Sequence, residues 1–107
     1  MYGEEFSISN NGMNNEMLLV WDEAKRQINF AERGIDFAEA AEVLSDSNVA
    51  IEADERYDYG EARFNAYGLS KGRRMRVCFT IRDNAIRIIT MFKVHNKEWE
   101  KHYGKNN

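Results

Sequence analysis

The sequence contains no proline, a single cysteine and only two histidines among its 107 residues. One cysteine excludes a disulfide framework and a cysteine-rich zinc site. No apolar run approaches the roughly 20 residues that a membrane-spanning helix needs. The first 17 residues carry acids and asparagines where a signal peptide needs basic and then apolar residues. These absences predict a cytoplasmic protein with no membrane segment.

Charge is unevenly distributed along the chain, although the net charge is only −3. Residues 1–62 hold 4 Lys or Arg against 15 Asp or Glu, and residues 63–107 hold 11 against 3. A basic half can present a positive patch to phosphate while the acidic half faces elsewhere or meets a basic partner. The alternative is that the two halves neutralise each other within one domain.

The chain length and the lack of linkers or repeats predict one domain. Residues 1–16 are polar and aperiodic, which predicts a weakly ordered extension before a single domain over residues 17–107. A first strand is predicted at 18–21, followed by a helix with Asp22 as N-cap and Gly34 as its C-terminal stop. The buried stripe predicted for this helix consists of Ala24, Ile28 and Ala31.

A second helix and a run of strands follow. Asp36 and Glu39 have the spacing of a capping box. Strands are then predicted at 49–53, 64–69, 75–81 and 86–94, with hairpin turns at 71–72 and 83–84. A last helix begins at Asn96 and places Trp99 and Tyr103 one turn apart. The expected fold is α+β: an antiparallel sheet of about four to five strands, with two N-terminal helices and one C-terminal helix.

The candidate chemistry lies in arginines on the predicted strands. In the strand at 75–82, the apolar set is Met75, Val77, Phe79 and Ile81, and the opposite face carries Arg76, Cys78, Thr80 and Arg82. Guanidinium groups suit phosphate oxygens and can stabilise the charge that develops when RNA is cut by its own 2′-hydroxyl. The alternative is a solvated sheet face whose long side chains cover apolar surface. We expect no cofactor and no metal site, since His95 and His102 lack surrounding ligands, and we expect Cys78 to be a buried, inert thiol.

Many short motifs occur in a fixed order along residues 18–103: Trp21-Asp22-x-x-Lys25, Asn29, Gly34-x-x-Phe37-x-x-Ala40, Asp54-Glu55-Arg56, Asp58-x-Gly60-Glu61-x-Arg63, Gly68, Gly72-Arg73, Phe79-Thr80-x-Arg82 and Arg87-Ile88-Ile89-Thr90. The order and spacing of these motifs resemble the BrnT family. The resemblance implies a toxin of a bacterial type II toxin–antitoxin system with a RelE-like fold. It implies a metal-independent endoribonuclease that cleaves RNA and blocks translation. It also implies a cognate BrnA-like ribbon-helix-helix antitoxin. The toxin would contact operator DNA only through this antitoxin.

The resemblance carries four candidate site residues: Lys25, Arg63, Arg82 and Arg87. Lys93 is a fifth candidate, because it follows the position where the family's arginine is missing and could supply the charge instead. The arginines would bind the phosphate and stabilise the transition state, and Lys25 or Lys93 would assist the 2′-hydroxyl or the leaving oxygen.

Three positions depart from the family pattern. Arg33 and Tyr57 stand where family members often carry histidine, and Phe92 stands where the last strand usually ends in an arginine. Phe92 is in phase with Ile86 and Ile88, so we expect it to pack inward. These departures favour a second interpretation, in which the chain is a degenerate, non-catalytic toxin that acts as an antitoxin-binding co-repressor scaffold.

Overall fold

The computed structural model describes residues 6–9 and 16–105. Within those residues it places six strands in one sheet with three helices, which confirms the predicted α+β class. The strands are β1 (Phe6–Ser9), β2 (Glu16–Trp21), β3 (Ala50–Ala53), β4 (Phe64–Ser70), β5 (Arg73–Arg82) and β6 (Ala85–Lys93). The helices are α1 (Glu23–Arg33), α2 (Ala40–Leu44) and α3 (Asn96–His102), and a 3-10 turn at Phe37–Glu39 leads into α2. No helix in the described ranges has the length and apolarity to cross a membrane.

The strand order across the sheet is β1-β2-β6-β5-β4-β3. The predicted antiparallel sheet is confirmed from β3 to β6, and β2 adds a neighbour that runs parallel to β6. The chain passes through both N-terminal helices and three further strands between β2 and β6, so nothing local sets their relative direction. At the far edge, β1 pairs with β2, which the sequence did not predict. The rest of the predicted extension, 1–5 and 10–15, lies outside the described residues.

Local signals place the turns and helix ends as predicted. Both residues of each hairpin turn adopt positive φ, at 71–72 and at 83–84, as the tight turns between twisted strands require. The Asp22 carboxylate accepts from the N–H groups of Ala24 and Lys25, and Gly34 ends α1 with φ of 68°. The capping box of Asp36 and Glu39 is also formed.

The predicted buried stripe of α1 is wrong. Ala24, Ile28 and Ala31 are exposed, and Asn29 is the buried residue of the helix. The Asn29 amide donates to the carbonyl oxygens of Met91 and Ile35, each at 3.1 Å. Pairing between β2 and β6 ends at Ile88, so α1 lies beside the later part of β6 and contacts it through a polar side chain. The periodicity of the apolar residues therefore does not indicate the packed side of this helix.

The core fills the space between the sheet and the segment 35–44. Its largest fully buried side chains include Trp21, Phe37, Leu19 and Met75. Met75, Val77 and Phe79 face this core from β5 as predicted, but Ile81 is 48% exposed, which corrects the prediction. Ile81 pairs with Ile86 next to the β5–β6 turn, and the described residues leave about half of it uncovered.

A bulge in β6 corrects the prediction for Phe92. Cys78 pairs with Thr90 and Phe79 pairs with Ile88, which leaves Ile89 as the extra residue. The side-chain alternation therefore changes phase at this point. Met91 is fully buried in the core, and Phe92 turns to the opposite face of the sheet.

Helix α3 packs on that opposite face. Trp99 and Tyr103 stack with ring centroids 4.0 Å apart, as their spacing predicted. Trp99 joins Ala50, Tyr67 and Val94 in a second, smaller buried cluster. This cluster fixes α3 over β3 and β4 and leaves the rest of the face uncovered by a helix.

We predict that Asn29→Ala lowers the free energy of unfolding by about 2 kcal/mol, because it leaves two buried carbonyl groups without their donor. Ile28→Ala, the adjacent exposed position, should change stability by less than about 0.5 kcal/mol. Urea unfolding followed by far-UV circular dichroism measures both. A larger loss for Ile28→Ala would contradict the position of α1.

Candidate functional site

The sheet face opposite the main core carries mostly polar and basic side chains, and we call it the open face. Successive side chains of a strand alternate between faces, and directly paired residues share a face. The open face therefore carries Asn65 and Tyr67 of β4, Arg76, Cys78, Thr80 and Arg82 of β5, and Arg87, Thr90 and Phe92 of β6. The predicted polar set of β5 is confirmed.

Three of the predicted site residues lie near one another at the hairpin end of the open face, two of them joined by a shared carboxylate. The Arg63 Nε donates to the Glu61 carboxylate at 3.2 Å, and the Arg82 Nη2 donates to its other oxygen at 2.9 Å. Arg87 pairs with Thr80, which makes it a diagonal neighbour of Arg82 across the two strands, at a backbone separation of about 7–8 Å. We call Arg63, Arg82 and Arg87 the arginine cluster.

Glu61 stays ionised between these arginines. Its burial alone would raise the pKa of the carboxyl, but the hydrogen bonds from Arg63 and Arg82 outweigh burial and hold the pKa below its ordinary value. A carboxylate stabilised in this way is a poor proton acceptor. Its role in the geometry is to position two guanidinium groups.

The other two predicted site residues lie elsewhere. Lys93 pairs with Met75 and so belongs to the core side of the sheet, roughly 20 Å along β6 from Arg87. Lys25 lies in the first turn of α1 and lines a shallow groove with Ile28, Arg33 and Ile89. Neither lysine joins the arginine cluster.

A cleft of about 460 Å³ lies between the open face and α3. At its wall, the Tyr67 hydroxyl and the Arg76 Nη1 both donate to the same Glu98 oxygen at 2.7 Å. His102 stacks on Tyr67 with ring centroids 4.4 Å apart, and its Nδ1 lies 2.5 Å from the Glu52 carboxylate. The cleft thus combines guanidinium, ammonium, phenol and imidazole groups with four carboxylates, those of Glu52, Asp54, Glu55 and Glu98.

Burial and hydrogen bonds set the charges in the cleft. Burial alone would raise the pKa of Glu98, but the bonds from Tyr67 and Arg76 outweigh it and lower that pKa. Burial and the Glu98 charge raise the pKa of the Tyr67 phenol. At neutral pH the cleft therefore holds an ionised Glu98 and a neutral Tyr67.

Arg33 and Phe92, two positions at which the resemblance implies a different residue, contact each other on the open face. The Arg33 Nη1 donates to the Asn29 side chain at 2.7 Å and to the Thr90 hydroxyl at 3.2 Å. Its guanidinium lies 5.6 Å from the Phe92 ring centroid, and that of Arg76 lies 5.3 Å from the same centroid. Phe92 therefore contacts two cations, in a geometry typical of cation–π interactions.

Sequence reasoning missed the residues of the cleft. The alternation in β5 already placed Arg76 with Arg82, so Arg76 could have been chosen as a candidate. Glu98 and His102 are spaced one helical turn apart on α3, a signal that they share a side of the helix. Their meeting with Tyr67 depends on how α3 packs, which no local pattern reveals.

The acidic and basic halves of the chain partly neutralise each other. Arg63, Arg73 and Arg82 of the basic half pair with Glu61 and Glu39 of the acidic half.

Cys78 on the open face donates to the Asn65 side chain at 3.0 Å, and burial raises the pKa of its thiol. In the described ranges, His, Cys, Asp and Glu side chains form no group of three or more suited to hold a metal ion.

The fold and the open face define a small α+β protein whose sheet carries guanidinium groups positioned by carboxylates. The family model described as "Ribonuclease toxin, BrnT, of type II toxin-antitoxin system" matches residues 21–98, which include the open face and the arginine cluster. The chain belongs to this family of ribonuclease toxins, and such a toxin has an antitoxin as its partner. A comparison with curated proteins returned no match.

We predict that Glu98→Gln flattens the dependence of stability on pH as the pH falls below about 5. Because folding lowers the pKa of Glu98, its carboxylate stabilises the fold above the unfolded-state pKa of about 4.3, and this contribution is lost as the pH falls. Urea unfolding at several pH values measures the slope. Glu100→Gln, on the exposed side of the same helix, is the control, and an equal flattening there would contradict the prediction.

Proposed function

We propose that this chain is an endoribonuclease toxin that cleaves single-stranded RNA on its open face, without a metal ion in the chemistry, and thereby inhibits translation. The observation that carries the proposal is the arginine cluster: Glu61 holds Arg63 and Arg82 side by side, and Arg87 lies on the adjacent strand. The family membership supports the ribonuclease activity.

The proposed RNA cleavage depends mainly on stabilising the negative charge that develops on the phosphate, and it needs no cofactor. The RNA 2′-hydroxyl attacks the adjacent phosphorus, the bond to the 5′-oxygen of the next nucleotide breaks, and the products carry a 2′,3′-cyclic phosphate and a 5′-hydroxyl. The 2′-hydroxyl gives up its proton and the leaving oxygen gains one. The negative charge that develops on the phosphate oxygens is what Arg63, Arg82 and Arg87 would stabilise.

A guanidinium can bind phosphate while it remains paired with a carboxylate. Each guanidinium has five N–H donors, and the bonds to Glu61 use one on Arg63 and one on Arg82. The remaining donors are available for a phosphodiester. The positions of Lys25 and Lys93 do not favour proton transfer at this cluster, so the proposal gives them no step there.

For the partner, we propose a BrnA-like ribbon-helix-helix antitoxin, with operator DNA bound only through that antitoxin. The acidic first half of the chain supports a basic or mixed-charge partner segment.

A second candidate function is a non-catalytic, antitoxin-binding scaffold. Phe92 supports it, because this ring occupies the open face between Arg33 and Arg76 where the resemblance implies an arginine. β6 then lacks the cation that the resemblance implies at position 92. The Arg33 guanidinium of α1 lies beside the Phe92 ring.

We predict that purified wild-type protein cleaves unstructured RNA in the presence of EDTA. The double variant Arg63→Ala, Arg82→Ala should cleave at least about 100-fold more slowly, because it removes two donors to the developing charge. Gel electrophoresis of labelled RNA measures the rate and identifies the cyclic-phosphate end. The variant Lys71→Ala removes an exposed cation from the turn before β5, at the opposite end of that strand from Arg82, and serves as the control. Unchanged cleavage by the arginine variant would refute the assignment.

We also predict that expression of the wild-type chain without an antitoxin arrests bacterial growth, and that the Arg63→Ala, Arg82→Ala variant does not. Growth curves and incorporation of a labelled amino acid measure the effect on translation. Normal growth with the wild type, together with stable copurification of the antitoxin, would favour the scaffold function instead.

A further inference from the structure

One buried carboxylate orders the loop between β3 and β4, residues 54–63. Asp54 accepts hydrogen bonds from the backbone N–H, Nε and Nη2 of Arg56 at 3.2, 2.9 and 2.9 Å, and from the Tyr59 hydroxyl at 3.2 Å. The Asp54 N–H donates to the Arg63 carbonyl at 2.7 Å, which joins the two ends of the loop. The bonds from Arg56 hold the pKa of Asp54 well below its usual range, so the carboxylate stays charged.

This fixed loop exposes an aromatic ring. Tyr57 is 68% exposed, the highest value among the large apolar side chains of the described residues. Its ring meets Tyr59 edge to face with centroids 5.8 Å apart, and the Arg56 guanidinium lies 5.8 Å from its centroid. A ring held in place by such contacts loses little freedom when a flat ligand stacks on it.

A continuous chain of contacts leads from this ring to the arginine cluster. Tyr57 contacts Tyr59, and the Arg63 guanidinium lies 4.2 Å from the Tyr59 ring centroid. Arg63 shares the Glu61 carboxylate with Arg82. An exposed ring therefore lies beside the groups that would hold a phosphate.

We propose that Tyr57 is a stacking platform for one unpaired base of the RNA, next to the phosphate bound at Arg63 and Arg82. This inference rests on the proposed ribonuclease function and identifies its substrate as RNA that is single-stranded at this point. Stacking on an aromatic ring needs a base whose faces are free, and a base within a duplex has none.

The surroundings of the ring favour a base over a peptide. The loop and the start of β4 line an open pocket of about 240 Å³, in which polar and charged residues outnumber apolar ones. An apolar groove of the kind that takes an amphipathic helix is a different environment. The exposed Glu55 and Asp58 repel phosphate, so the RNA backbone is expected to follow the arginines while the base turns toward the loop.

Binding of a fluorescein-labelled, unstructured 12-nucleotide RNA with 2′-O-methyl groups throughout, which blocks cleavage, tests the proposal by fluorescence anisotropy. Tyr57→Ala should weaken binding about tenfold, the effect of losing one stacked base, and Tyr57→Trp should restore it. Phe30→Ala removes an exposed ring from α1 and should leave binding unchanged. An oligomer of abasic nucleotides should bind wild type and Tyr57→Ala equally.

The outcomes separate this proposal from the proposed function. If the folded wild type binds no RNA, both fail. If the Arg63→Ala, Arg82→Ala variant loses binding and Tyr57→Ala does not, the stacking platform alone is refuted. If Tyr57→Ala weakened binding of the abasic oligomer as much as binding of the 12-nucleotide RNA, the effect of Tyr57 would come from the RNA backbone, and stacking would be refuted. If Tyr57→Ala bound RNA normally but bound the antitoxin more weakly, the loop would be an antitoxin surface, and the stacking platform would be refuted. Thermal unfolding of each variant confirms that it is folded.

Discussion

Strand β5 must satisfy two incompatible environments at once, and the rest of the structure depends on this constraint. Met75, Val77 and Phe79 fill the core from one face, and Arg76 and Arg82 lie on the other. A slip of one residue in register would place the arginines in the core and the apolar side chains in water. The two tight hairpins at the ends of β5 prevent such a slip, because each forces positive φ at both of its turn residues.

Carboxylates arrange the cations of the open face. Glu61 positions Arg63 and Arg82, Glu98 positions Arg76, and each guanidinium keeps further N–H donors. Such pairing weakens the net positive field of the face. It also restricts the arginine side chains before a ligand binds, so they lose less conformational freedom on binding. The modest net charge of the chain therefore coexists with a face on which guanidinium groups are held in fixed positions.

Local signals predicted the elements well and their contacts less well. The caps at Asp22 and Gly34 and the turn at 83–84 depend on neighbours within a few residues, so the sequence is enough to predict them. The inward packing expected of Phe92 failed because a single bulged residue, Ile89, reverses the alternation, and no residue type marks that position. The buried stripe expected around Ile28 failed because α1 packs through Asn29, whose partners are carbonyls of distant segments.

The sequence by itself determined the α+β class, the two faces of β5, the concentration of arginines in the second half and the family resemblance. These features follow from periodicity and from motifs a few residues long. Only the tertiary structure decided that Glu61 joins Arg63 to Arg82, that Lys93 lies on the other side of the sheet and that Glu98 reaches Tyr67. Those contacts join residues from different elements, and their geometry is set by strand register and helix packing, which are properties of the whole fold.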